Sequence, residues 1–558
     1  MIIQEGLRNG VIHKKYVIGA HPIIQFFMDR LKIDEIVGSY VRQDKRMRLK
    51  TEKTLSVLIH NILTTHLPMY EITDWLRPLD EERLGLAPGD YTFISDDRVG
   101  KALESLYNGR HKDIFFHLAL RAIKLFEIDC RQIHQDTTTV TFSGKYEGWQ
   151  ARQIITYGTN KDHRPDLKQL VLGMSVTADG AVPLVHEIYD GNQTDDRLHP
   201  ANHRRLRRLL QRADFIYVAD SKLATDDNLR KITACGGLFV SVMPRTWKED
   251  KIFRDKARKG KIKWEHILSR PNNRKPKSKR DHYYLAGGKY VTCNGYRLFW
   301  VLSTQKAQQD AETRQRNIEK AIDALKRTQS RINTYRLKSL KNIEEKIASI
   351  LKENKCGDFI KYNIDRNIRH EVEYENVGRP CKHKRTGKAV KREYFSFDFR
   401  IDEESIKKES LTDGIFPLVT NLKDHKPQKV LEIYKYQPFL EKRNSQLKTY
   451  QQIAPVFLKK AQRVTAYLHM NVMALMVATL IERQLRIAMK RKGIKALAIY
   501  PEERPCKYPT TFDIVRLFNG IERYEVIQGE NVYIFPAKLS KIQEQVIELL
   551  GVPVSLYQ

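Results

Sequence analysis

The feature that most constrains this chain is a change of hydrophobic period near Arg131. Before it, HPIIQFFMDRLKIDEIV and TEKTLSVLIHNILTTHLPMYEITDWL repeat apolar residues at three- and four-residue steps, the signature of amphipathic helices. Leu84-Gly-Leu-Ala-Pro-Gly-Asp90 breaks that run, and SDDRVGKALESLYN restarts it behind a Ser95/Asp96 cap signal. From Arg131 the step becomes two: RQIHQDTTTVTF sets Ile133, Gln135, Thr137 and Thr139 on one face and His134, Asp136, Thr138 and Val140 on the other. LKQLVLGMSVTADG and VPLVHEIYDG read as two further strands. A basic helix (HPANHRRLRRLLQRAD), a strand (FIYVAD), a capped helix (TDDNLRKITACG) and a strand (LFVSVMP) follow. Three strands and then alternation predict a mixed sheet flanked by helices, an α/β core behind a helical N-terminal domain.

Charge narrows the partners. Lys and Arg number 99 against 67 Asp and Glu, a formal charge of +32 over 558 residues. Such a surplus repels itself unless a polyanion offsets it, so nucleic acid is the leading partner and an anionic membrane the competitor. The longest mainly apolar run, Val472 to Ile481, is too short to span a bilayer, and MIIQEGLRNG lacks the pattern of a secretion signal. With 41% hydrophobic residues the chain can build cores, which excludes wholesale disorder. Six scattered cysteines without CxxC spacing argue against zinc ribbons and disulfide scaffolds.

Beyond Pro244 the chain turns strongly basic. RPNNRKPKSKR (270–280) holds six Lys/Arg in eleven residues, with Arg274, Lys275 and Lys277 at its centre, and GRPCKHKRTGKAVKR (378–392) repeats the theme. Between them, residues 303–354 predict a helical hairpin. Its seam runs through Ile318, Ile322, Leu325 and Ile332, then Leu340, Ile343, Ile347 and Ile350, interrupted at Asn333-Thr334. YFSFDFRID and DGIFPLVTN read as strands again, so 245–405 has the character of an insertion into the sheet domain.

Two aspartates sit on strands: Asp136 in the middle of IHQDTTTVTF and Asp220 at the end of FIYVAD. A carboxylate there is costly unless paired, protonated or bound to a cation, although a strand-end aspartate taken singly is as readily a turn cap. In LEIYKYQPFLEKRNSQLK, Tyr434, Gln437, Glu441 and Lys448 fall within an arc of roughly 60° on one helix face. The competing reading is a solvated face, and Pro438 would kink the helix or start it there.

These residues resemble the DDE transposases of bacterial insertion sequences, of the insertion-sequence-four type, with their Tyr-x2-Arg-x3-Glu-x6-Lys signature around a third acid. YGTNKDHRPDLKQLVLGMSVTADGAVPL and YDGNQTDD resemble the sheet of that group, and Gln437 stands where it has Arg. The resemblance implies an RNase H-like catalytic fold interrupted by an insertion. The domains expected are a helical 1–128 for DNA binding or dimerisation, core 129–245, basic insertion 246–394, second core part 395–490, and a small C-terminal region 491–558, expected to be helical.

The resemblance also implies two divalent ions, Mg²⁺ or Mn²⁺ in its place, held by Asp136, Asp220 and Glu441. Tyr434 and Lys448 would touch phosphates, as would Gln437 more weakly, and the clusters at 270–280 and 378–392 would bind backbone. Trp264, and less well Trp300, are candidates to stack on a flipped base. Partners would be double-stranded element ends and target DNA, met by a homodimer in the bacterial cytoplasm, with no membrane involved. The alternatives are a nuclease on the same fold that does not join ends, and a transposase-derived DNA-binding protein with idle carboxylates.

Overall fold

The computed structural model describes residues 11–42, 46–142, 155–158, 164–193, 197–271, 280–374, 387–454 and 458–558. The chain forms two compact units, Met1–Ser241 with Thr420–Leu422 and Val430–Gln558, and Val242–Val419 with Lys423–Lys429.

The first unit opens on β1 (Val11–Val17), which the helical pattern did not announce. Helices His21–Leu31, Ile33–Tyr40, Thr51–Thr64, Asp96–Asn108 and His111–Phe126 follow the predicted periodicity. Ser95 caps its helix as expected, its hydroxyl accepting from the Arg98 N–H.

The sheet is built from β2 (Gln132–Phe142), β3 (Lys168–Thr177), β4 (Pro183–Asp190), β5 (Ile216–Val218) and β6 (Leu238–Val242) in the order β4-β3-β2-β5-β6. β3 runs antiparallel to both β2 and β4, whereas β2 and β5, and β5 and β6, are parallel. β2 is an interior strand, paired with β3 on one side and β5 on the other. Both of its faces are buried, so the polar–apolar alternation of RQIHQDTTTVTF does not separate core from solvent. Its threonines answer the crowding of a two-sided strand with β-branched bulk.

Helix Ala461–Arg491 is long and apolar enough by composition to cross a membrane, a length the run Val472–Ile481 understated. Its most apolar window is 94% buried inside the protein, and it packs against Thr51–Thr64, Asp96–Asn108 and β4.

The second unit holds β7 (Trp264–Pro271), β8 (Arg280–Ala286), β9 (Tyr290–Val291), β10 (Arg297–Ser303), β11 (Ile360–Tyr374), β12 (Gly387–Ile401) and β13 (Ile415–Thr420). The helical hairpin falls where the seam placed it, as Thr304–Gln329 and Leu340–Glu353. Ile318, Leu325, Ile343, Ile347 and Ile350 share one core with Phe395 and Phe397 of β12, while Leu340 stays 41% exposed.

Two expectations are corrected. YFSFDFRID was expected to rejoin the core sheet after an insertion ending at 394. It forms part of β12, which pairs along its whole length with β11 in a separate two-stranded ribbon, and the second unit runs on to Val419. The C-terminal region is not a purely helical appendage: it supplies β14 (Glu522–Gln528) and β15 (Asn531–Phe535) to the sheet β1-β14-β15. β1 and β14 pair antiparallel from Val11↔Gln528 to Val17↔Glu522.

Candidate functional site

Strand register brings two acids together. His134 of β2 is the partner of Val218 of β5 in a parallel pair. Asp136 lies two residues beyond His134, and Asp220 two beyond Val218. β5 ends at Val218, so Asp220 sits just past the strand end, beside the stretch of β2 that carries Asp136. Both are half-buried. Asp220 leaves the strand directly: its Oδ1 accepts from the Lys222 N–H at 3.0 Å, and its carbonyl accepts from the Ser241 hydroxyl at 2.7 Å. The turn-cap role weighed for Asp220 is therefore present in the structure alongside its place beside Asp136.

The third acid arrives on helix Gln437–Thr449, which packs across β2. Pro438 occupies its first turn, so the proline starts this helix, and Tyr434 closes the preceding one, Pro427–Tyr434. Two side chains of the stripe fasten the helix to β2. Gln437 is 5% exposed; its Nε2 donates to the Gln135 carbonyl at 3.0 Å and its Oε1 meets His134 Nδ1 at 2.8 Å. Two turns on, Asn444 Nδ2 donates to Asp136 Oδ2 at 3.1 Å. Glu441 lies between them at helical spacing, exposed, with Lys448 half-buried one turn further.

Tyr434 reports on the arrangement. Burial pushes its phenol above the usual range, and the charges of Asp220, Glu441 and Asp136 push it further. One hydroxyl is thus within electrostatic reach of all three carboxylates.

The far side of the Gln437 helix is held by charge. Arg443 Nη1 reaches Glu482 at 2.6 Å, and its Nη2 donates to the Gly180 carbonyl. Glu482 is fully buried. Burial alone would raise its carboxyl, but the Arg443 and Arg486 guanidiniums outweigh it and hold the group below its ordinary range.

The donor chemistry suits a hard cation. Carboxylate and amide oxygens line the place, and Asn444 Oδ1 is buried with no hydrogen-bond partner among the described residues. Among those residues no three of His, Cys, Asp and Glu lie close enough to form a ready-made metal cluster.

Gln437 departs from the expected phosphate contact, since both ends of its amide are used within the protein. Arg274, Lys275 and Lys277 lie outside the described residues. Trp300 is 1% exposed and stacks on Phe253 at 3.9 Å, which makes it core; Trp264 is half-buried at the start of β7, edge-on to Phe253. Asp227 lies in the first turn of helix Asp226–Ala234 and pairs with Arg230 and Lys231.

Sequence reasoning missed Asn444, although it lies seven residues after Gln437 and three after Glu441, the spacing of the stripe itself. It also gave His134, placed on the same strand face as Asp136, no role, although the ring is packed in the core. The packing is real, and it anchors the helix that carries Glu441. Gln437→Ala should cost about 2 kcal/mol, because it strands the buried His134 ring nitrogen and Gln135 carbonyl together. Urea unfolding of the variant beside wild type measures the loss.

Residues 14–120 match a family described as a domain of unknown function, DUF4277. No curated protein matches. Among solved structures the chain is similar to a piggyBac transposase in a synaptic complex with hairpin DNA, at 8% identity and a TM-score of 0.40, over 90% of this chain and 80% of that one.

Proposed function

We propose that this chain is a DNA transposase that cuts the ends of an insertion sequence and joins them to target DNA, using Asp136, Asp220 and Glu441. The observation that carries the reading is that Asp136 and Asp220 lie two residues beyond the paired His134 and Val218 and, with Glu441 of the helix packed on β2, act electrostatically on the one Tyr434 hydroxyl. The strand order β4-β3-β2-β5-β6, three antiparallel strands followed by two parallel ones, supports an RNase H-like core.

The three carboxylates would hold Mg²⁺ or Mn²⁺, which when bound supplies an activated oxygen nucleophile and stabilises the leaving 3′-oxygen. The chain's own residues do the rest. Gln437 and Asn444 set the height of the Glu441 helix over β2, and Asn444 orients the Asp136 carboxylate. The Tyr434 hydroxyl, kept protonated by burial and by three negative neighbours, can donate to a phosphate oxygen. Lys448 adds a positive charge on the same stripe.

One labelled element end, incubated with target DNA in Mg²⁺ and separately in a chelator, tests the proposal. Cut and joined products in Mg²⁺ are expected, with neither in the chelator. Cutting without joining would leave only the nuclease reading. Binding with no chemistry under any divalent ion would leave the idle-carboxylate reading.

A further inference from the structure

In the second unit, β11 and β12 form a two-stranded ribbon of fifteen residues a side with no third strand. Its base, at Ile360, Phe395 and Phe397, is buried against the helical hairpin. The outer part from Arg366 onward has almost every described residue exposed on both faces, including Ile368 and Val372 at 55% each. A ribbon needs burial on at least one face to be stable alone, so this part is built for something other than its own stability.

The charges say what. The three acids of the outer ribbon pair with its own arginines: Glu393 with Arg366, and Glu371 and Glu373 sharing Arg392. Arg369, Lys388 and Lys391 have no acidic partner among the described residues, and Arg369 lies over the Tyr394 ring at 5.1 Å. Two successive rungs set a basic residue opposite a basic residue, Arg369↔Arg392 and His370↔Lys391. Like charges directly opposite each other weaken a strand pair, and an anion laid along the ribbon relieves them. Residues 375–386, which join the two strands, add Arg379, Lys382, Lys384 and Arg385 against Glu375 in sequence.

We infer that the outer β11–β12 ribbon enters the major groove of duplex DNA, with the face that carries Ile368, Val372 and Lys391 toward the groove floor, and with Lys391 from that face and the long Arg369 and Lys388 side chains from the opposite face on the flanking phosphates. The dimensions agree. Two strands about 4.8 Å apart make a ribbon that a groove about 12 Å wide admits. Nine residues from Arg366 to Tyr374 reach about 30 Å, close to one helical turn. The inference rests on the reading of this chain as a DNA enzyme and adds the element that grips the duplex.

The test is DNA binding by the full chain in a chelator, so that no chemistry intervenes. A labelled duplex of about three helical turns is titrated at several salt concentrations, with wild type and with R369Q/K388Q/K391Q. Each phosphate contact contributes about 0.9 to the slope of log affinity against log salt. The variant should therefore lose about 2 to 3 from the slope and bind at least about tenfold more weakly near physiological salt. Its melting temperature should be unchanged or higher, which separates lost contacts from lost fold.

A variant with wild-type slope and affinity overturns the assignment while the reading as a DNA enzyme stands. Double-stranded RNA competing as well as DNA also overturns it, because the A-form major groove is too deep and narrow for a ribbon. Failure of wild type to bind any duplex overturns both the inference and the reading beneath it.

Discussion

Asp136→Asn should abolish end cleavage and strand transfer, by at least about a thousandfold or about 4 kcal/mol of barrier, while leaving fold and DNA affinity in place. Asparagine keeps the size of the side chain and an oxygen that can accept from Asn444, so the contact to the Gln437 helix survives. What disappears is a negative charge on β2, one of the three that act on the Tyr434 hydroxyl. Asp220→Asn and Glu441→Gln should behave alike, since the proposed chemistry needs all three charges. Asp227→Asn is the control. That carboxylate pairs with Arg230 and Lys231 on its own helix, and its loss should leave cleavage untouched. Product yield from one labelled end, with binding measured separately, decides the matter. Normal cleavage by Asp136→Asn would remove the carboxylate reading altogether.

The first unit should lose at least about 4 kcal/mol of stability between pH 8 and pH 5. Four histidines are buried in two groups. His21 faces His60 at 3.1 Å, with Gln25 and the Trp75 ring beside them. His186 contacts His469, with the rings of His111 and Phe115 against them and Lys112, Glu187 and Arg205 nearby. Burial holds His21 down to about 4. Burial, then His111 and Lys112, hold His186 down to about 3. His60 and His469 are also held well below the ordinary value by burial.

In the unfolded chain each of these groups titrates near 6.5. Between 6.5 and the folded value the unfolded chain binds protons that the folded chain refuses, so stability rises with pH across that window and is lost as pH falls through it. At pH 5 His21 and His186 cost about 2 kcal/mol each, which gives the figure stated, and His60 and His469 add to it in the same direction. Urea midpoints at the two pH values measure it, and a flat response would mean that these rings accept protons in place.

Much of the architecture was legible because hydrophobic period is a local property. The helical hairpin, the strand carrying Asp136 and the short strand leading to Asp220 all lie where period and turn residues put them. Pairing partners are not local. β1 and β14 are separated by almost the whole chain, and neither carries a signal that names the other. The stretch now forming β11, with polar residues on both faces, lacks the one-sided apolar pattern of a packed strand. The stripe Tyr434–Gln437–Glu441–Lys448 pointed to the right face, but one feature belongs to tertiary packing alone. A neutral amide at 437 fits because a neutral, buried His134 waits opposite it; burial holds that imidazole down to about 4. Periodicity cannot tell such a buried anchor from a ligand-binding side chain.

The pairing of β1 with β14 also sets a clock on manufacture. At about 5 to 20 residues per second, the ribosome needs on the order of half a minute to two minutes after making Val17 before it delivers Glu522. For that interval the first strand emerges with its backbone amides unclaimed, and a chaperone or a neighbouring nascent chain can reach them before the intended partner exists.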